Sequence, residues 1–202
     1  MTPDLHLVMH GVAIKKHGAA ADVASVSGLD PARAEAALKA AVDGVRVLET
    51  GGRYVLSPAG QMILAAEYSR FYDALRANAA FMAAATERFE RINLELKQLI
   101  TDWQTVEIGG KRVPNDHADK AYDEAIIGRL GDLHERFEPI LKALVAGEPR
   151  LGVYARKLGE ALEQAEDGNT AAVSDARSES YHTVWFELHE DLLRLTGRQR
   201  EE

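Results

Sequence analysis

Two short runs of β-branched and aromatic residues, Val45-Arg46-Val47-Leu48-Glu49 and Arg53-Tyr54-Val55-Leu56, flank Thr50-Gly51-Gly52. Glycine takes positive φ without steric cost, so this spacing predicts a tight hairpin. Almost everywhere else the apolar residues recur at helical intervals. A small hairpin set among helices confines the chain to a mainly α class.

Helix signals surround the hairpin. Leu5, Val8, Met9 and Val12 mark one face of a helix ending near His17-Gly18. Val23 and Val26 belong to a second helix from Ala20 to Val26, and Gly28 allows a tight turn after it. Asp30 is a good N-cap and Pro31 suits the first helical position, so a third helix runs to about Asp43, stopped by Gly44. Ser57-Pro58 starts a fourth by the same logic.

This order of helix, helix, turn, helix, hairpin and helix resembles the winged helix-turn-helix of bacterial transcriptional regulators of the MarR type. The resemblance rests on Gly28-Leu29-Asp30 opening the third helix, Gly44 ending it, and Leu56-Ser57-Pro58-Ala59-Gly60 after the hairpin. It covers roughly residues 5–66. It implies a winged helix-turn-helix domain at 1–66, with the hairpin as its wing, followed by an all-α helical-bundle domain at 67–202.

The rest of the chain reads as helical. Met62, Ile63, Ala66, Phe71, Ala74 and Leu75 continue the fourth helix to about Asn78, and Phe89, Ile92, Leu96, Leu99 and Trp103 suit a long packed helix. Val106 to Val113, with Gly109-Gly110 at its centre, predicts a second small hairpin. Asn115 or Asp116 is expected to cap a helix carrying Tyr122, Ile126, Ile127, Leu130 and Leu133, which Pro139 should kink or break. Pro149 opens a further helix closed by Gly168, and the last long helix covers about Ser178 to Leu195.

Composition removes several classes. No apolar run reaches the 18 or so residues that cross a membrane, and the N-terminus lacks the pattern of a signal peptide. The 202 residues include no cysteine, which excludes disulfides and thiolate chemistry and fits the cytoplasm. Nucleophile-elbow, phosphate-loop and dinucleotide fingerprints are missing, so no enzyme activity and no cofactor are expected. The net charge of −8 is uneven: residues 1–65 carry six basic and six acidic side chains, and the remainder carries the whole excess. A surface for nucleic acid therefore belongs in the first third.

With Ala34, Leu38 and Ala41 or Val42 turned inward, the third helix presents Arg33, Glu35, Ala36 and Lys39. Arg33 and Lys39 suit base edges, and Glu35 suits a cytosine amino group. Arg53 is placed for phosphate or the minor groove, and Lys15 and Lys16 for the backbone near the first helix.

Two polar segments stand apart. Asn115-Asp116-His117-Ala118-Asp119 with Tyr122-Asp123 reads as an acid-rich helix N-terminus rather than a metal site. In Tyr181 to Asp191 and beyond, Trp185, Leu188, Leu192 and Leu195 form one strip and His182, Phe186, His189 and Leu193 a second, leaving Glu187, Glu190, Asp191 and Arg194 for solvent. His182 and His189 are two turns apart, about 10 Å, too far to share one metal ion. Asn93 shares a strip with Phe89, Leu96, Ile100 and Trp103, and a polar amide there needs partners. Asn93, Trp103, Tyr122, His182, Phe186 and His189 are the candidate lining of an effector pocket.

The expected function is a dimeric DNA-binding transcriptional regulator whose helical domain dimerises and holds a small-molecule effector. The partner on this reading is double-stranded DNA, and no membrane is involved. The other expectation is an accessory module whose winged helix docks on a partner protein. The C-terminal half faintly resembles helical proteins associated with phosphoenolpyruvate-utilising phosphotransferases, which would make such an enzyme the partner.

Overall fold

The chain is mainly helical, with two small antiparallel sheets, in a computed structural model that describes residues 2–198. Helix α1 spans Asp4–Lys15, strand β1 Gly18–Ala19, α2 Ala20–Ser27 and α3 Pro31–Asp43. Strands β2 (Val47–Thr50) and β3 (Arg53–Leu56) form the predicted hairpin, and β1 adds to it, giving a three-stranded sheet in the order β1-β3-β2. Helix α4 follows at Pro58–Arg76. Then come α5 (Ala79–Ala83), a π-helical turn (Ala84–Arg88) and α6 (Phe89–Gln104). A second hairpin, β4 (Thr105–Ile108) and β5 (Lys111–Pro114), leads into α7 (Lys120–Gly147). A 3-10 turn (Pro149–Leu151), α8 (Gly152–Glu166), α9 (Ala171–Ser174) and α10 (Tyr181–Thr196) complete the described chain. No described helix is long and apolar enough to cross a membrane.

Two units are distinguishable, and their boundaries differ from the expected break at residue 66. The first holds the chain up to Ala79, Glu148–Val153, and the chain from Glu187 onward; the second holds Ala80–Gly147 and Tyr154–Phe186. The difference arises because groups remote in sequence, Arg150 and Asp191, are bonded into the core of the first unit. No local periodicity reports such long-range pairing.

In the first unit α1 is the central element. Val8, Met9, Val12, Ala13 and Ile14 are all buried, so the helix is enclosed on nearly every side rather than along the single expected face. Its crossing with α2 is close: a Cβ on Gly11 would meet Val23 Cγ1 at 2.9 Å. The N-terminus of α3 forms as its sequence dictates, with Asp30 Oδ1 accepting from the Arg33 amide at 3.0 Å and Pro31 in the first turn. Val45 lies just before the sheet rather than in it. It adopts φ 55°, a costly conformation for a β-branched residue.

The run Leu56-Ser57-Pro58-Ala59-Gly60 has a clear structural job. Ser57 Oγ accepts from the Gly60 amide at 2.9 Å and donates to the Val45 carbonyl at 2.7 Å, so one hydroxyl caps α4 and anchors the entry to the hairpin. Gly60 is needed because a Cβ there would sit 1.9 Å from the Arg46 carbonyl oxygen. We expect Gly60→Ala to cost about 1–3 kcal/mol through forced backbone displacement. Urea denaturation checks this, and an unchanged midpoint would contradict the close approach.

The second unit is built on an aromatic centre. Trp185 stacks on Phe89 at 5.0 Å and meets Phe137 at 4.5 Å, while Tyr181 stacks on Trp185 at 6.2 Å. Helix α7 runs unbroken through Pro139, so the expected break does not occur. The proline is exposed, and Phe137, Ile140, Leu141 and Leu144 on the opposite face are buried and hold the helix together. The start of α7 also differs: Asp119 rather than Asn115 or Asp116 accepts from the amide of the first turn, at Tyr122.

Candidate nucleic-acid interface

Helix α3 buries Ala34, Ala37, Leu38 and Ala41 and leaves Arg33, Glu35, Ala36 and Lys39 exposed. The outward face is thus the one the periodicity assigned. Beside it the β2–β3 hairpin ends in Gly51 and Gly52, both at positive φ, and a Cβ at either would meet open space. A groove of about 620 Å³ runs between helix and hairpin, lined by Ala32, Glu35, Ala36, Lys39, Val42, Asp43, Glu49 and Tyr54.

The cations named from sequence are not equivalent. Arg33 donates through Nε and Nη2 to the two carboxylate oxygens of Asp4 at 3.0 and 2.7 Å and lies 3.9 Å from Asp30; Arg33 is exposed and Asp4 half-buried. Lys39 pairs with Asp43 one turn on, also at the surface. Arg53 reaches back to the His17 carbonyl at 3.0 Å. Lys16 is exposed, with its backbone in the left-handed region. Lys15 departs from expectation: its ammonium donates to Glu187 at 2.5 Å, and both side chains are nearly buried. That pair holds α1 to α10 and takes Lys15 away from any nucleic-acid surface.

The first unit also contains a polar cluster that periodicity does not reveal. Arg150 donates to both oxygens of Asp191 at 2.6 and 2.8 Å, with side chains 6% and 0% exposed. His10, fully buried, has Nε2 3.0 Å from the same carboxylate and Nδ1 2.5 Å from the Tyr68 hydroxyl. With the imidazole proton on Nε2, Nδ1 accepts from Tyr68. His6, one turn earlier on α1, meets Glu67 at 2.9 Å and lies among Tyr68, Phe71 and Tyr72. Arg150 also donates to the Val26 carbonyl at 3.4 Å, and its side chain lies against Gly28 at the α2–α3 turn.

Burial governs protonation in this cluster. It lowers His10 to about 4, with Arg150 adding to the effect and Asp191 opposing it. His6 shifts down for the same first reason. The guanidinium of Arg150 and the His10 ring hold Asp191 well below the usual carboxylate range despite its burial. Burial raises Tyr72 to about 12 and moves Tyr68 upward as well. The arrangement is a buried ion pair buffered by a neutral histidine.

Asp191 and Glu187, expected to face solvent, are buried because they answer Arg150 and Lys15. The trace these residues leave in sequence is the four-residue spacing of His6 with His10 and of Tyr68 with Tyr72, which puts each pair on one helix face. Their link to Arg150 and Asp191 has no local signature.

The residues proposed as an effector lining do not come together as one site. Asn93 is buried and satisfied by protein: Trp185 Nε1 donates to its Oδ1 at 3.0 Å and its Nδ2 donates to Glu90 at 2.9 Å. Trp103 packs on His117 at 4.6 Å, and Tyr122 donates to the carbonyls of Asp102 and Thr105, both at the foot of the β4–β5 hairpin. His182 is half-buried, and burial shifts it downward. Phe186 is 37% exposed, and His189 is buried and belongs to the first unit.

Around the second hairpin, His117 Nδ1 lies 3.1 Å from both oxygens of the buried Asp123, and Asn115 Nδ2 donates to Asp123 at 3.0 Å. Asp119 is spent on the helix cap. Among the described residues no group of three histidines or carboxylates is arranged to hold a metal ion.

No protein-family model matches this chain, and no curated protein or solved structure matches it either.

Proposed function

We propose that the first unit is a winged helix-turn-helix and that the protein is a DNA-binding transcriptional regulator. The observation that carries this reading is the connectivity: helix, strand, helix, helix, hairpin, with β1 pairing to β3 at the far side of the hairpin. Such an order leaves α3 with one free face next to a glycine-tipped wing, the geometry that puts a recognition helix in a major groove. Arg33 is paired with Asp4 and Asp30, and Lys39 with Asp43, all near the surface, where phosphate or base edges can replace the carboxylates. One such module contacts few base pairs, so the functional species is taken as a homodimer on a two-fold site. The cytoplasm is the matching compartment.

The variants Arg33→Ala and Lys39→Ala should each weaken binding to a selected site roughly tenfold. Arg53→Ala should weaken binding to every sequence alike and flatten its salt dependence. Fluorescence anisotropy on sites recovered from random DNA checks both. Equal affinity for all three variants and the parent would contradict the assignment.

A second reading has one observation in its favour. The groove beside α3 carries Glu35, Asp43 and Glu49 against the single cation Lys39. An acidic surface of that kind suits a basic segment of a partner protein.

A further inference from the structure

We infer that the first unit carries a binding site for a small organic anion with an apolar body, distinct from the outward face of α3. The site is a groove of about 770 Å³, within the size range of ligand pockets. Its floor comes from α1, β3, α4 and α10 and is apolar, with Val12, Val55, Leu64 and Leu193 among its residues. Its charged lining is one-sided. Among the described residues that border it, Lys16, Arg76, Arg194 and Arg198 are cationic and none is acidic. In a chain with a net charge of −8, four cations border this one concavity and no carboxylate among the described residues lines it.

The walls are built rather than incidental. Arg76 donates to the Leu195 and Arg194 carbonyls at 2.8 and 3.3 Å. It therefore closes the C-terminal end of α10 while its charge stays at the groove. Its guanidinium lies against Gly197, whose φ of 74° and missing side chain permit the approach. Arg194 is held by Glu190 at 2.8 Å through Nη2 and interacts with the Tyr68 hydroxyl, yet its Nε is buried and makes no hydrogen bond among the described residues. A buried donor without an acceptor is costly, and a ligand carboxylate, sulfonate or phosphate would supply one. Tyr68 borders the same groove, and its hydroxyl is already engaged by His10. Apolar floor and cationic border together select against inorganic anions, which leave the floor wet, and against neutral hydrocarbons, which offer no acceptor to Arg194 Nε.

The test is a fluorescence titration of the full-length protein, without DNA, using anilinonaphthalene sulfonate as the probe. The neutral N-phenylnaphthylamine and inorganic phosphate serve as comparison probes. The expected result is one sulfonate probe per chain, weaker binding of the neutral probe, and poor competition by phosphate. Arg194→Gln should raise the dissociation constant of the sulfonate roughly tenfold through loss of charged hydrogen bonding. Ala65→Trp, which adds bulk from the exposed wall, should do the same by filling the groove. Circular dichroism melting confirms that both variants remain folded. Sulfonate binding unchanged in both folded variants would overturn the site, and so would a neutral probe that binds as tightly as the sulfonate. Because no DNA is present, the outcome is independent of the proposed regulatory role.

Discussion

Asp191→Ala is expected to destabilise the first unit by about 3–5 kcal/mol, a large part of the stability of an ordinary domain. The carboxylate is wholly buried and both its oxygens accept from Arg150, itself 6% exposed. Truncation strands a guanidinium in the interior and removes the charge that His10 faces. The penalty is therefore that of an uncompensated buried cation, not of one lost hydrogen bond. The double variant Asp191→Leu with Arg150→Met removes both charges and should recover most of the loss. Chemical denaturation of the single and double variants measures both quantities. A single-variant loss below about 1 kcal/mol would contradict the buried pair.

The second large effect is on acidification. His10 falls from 6.5 to about 4 on folding, chiefly because burial disfavours the imidazolium. Below pH 6.5 the unfolded chain takes up this proton and the folded chain does not. Stability is therefore fully present above that pH and is lost as pH falls through the interval down to about 4. The loss from His10 alone reaches about 3 kcal/mol at the lower end. His6 acts in the same direction. Asp191, held low by Arg150, adds its own loss only once the pH falls below the ordinary carboxylate range. Urea midpoints between pH 7.5 and 4.5 should fall steadily for the parent protein. His10→Gln should show a shallower dependence over the same range, whatever its absolute stability. Parallel curves for the two proteins would show that His10 does not carry the effect.

What could be read from sequence was what is encoded locally. Asp30-Pro31 and Ser57-Pro58 start helices where capping chemistry says they should, and Gly51-Gly52 turns the hairpin. The exposed face of α3 follows from a 3.6-residue period. The buried faces of α1 and α10 differ from those the periodicity predicts for a common reason. Their polar residues look like solvent-facing positions until distant partners are known: Asp191 meets Arg150 forty-one residues earlier, and Lys15 meets Glu187 across 172 residues. Asn93 was legible as an amide needing partners, but Trp185, which supplies one of them, lies 92 residues away. Pro139 failed as a break signal because the apolar face opposite it is buried and holds the helix continuous. The cationic groove was invisible for a similar reason, since Lys16, Arg76, Arg194 and Arg198 are scattered along the chain and meet only in the fold.

The salt dependence of binding to mixed genomic DNA fragments tests most directly the proposed DNA-reading surface of α3 and the β2–β3 hairpin. Neutralising phosphates releases counterions, so the logarithm of the binding constant should fall linearly with the logarithm of salt concentration. For a module engaging about three to five phosphates, the slope should lie near −3 to −4.5, and Arg53→Ala should reduce its magnitude by about one. Retention of the fragments at ~50 mM salt with that slope is the predicted result. No binding to any fragment at that salt concentration, by a protein that melts cooperatively, would contradict that proposal and leave the acidic groove beside α3 as a protein-docking surface.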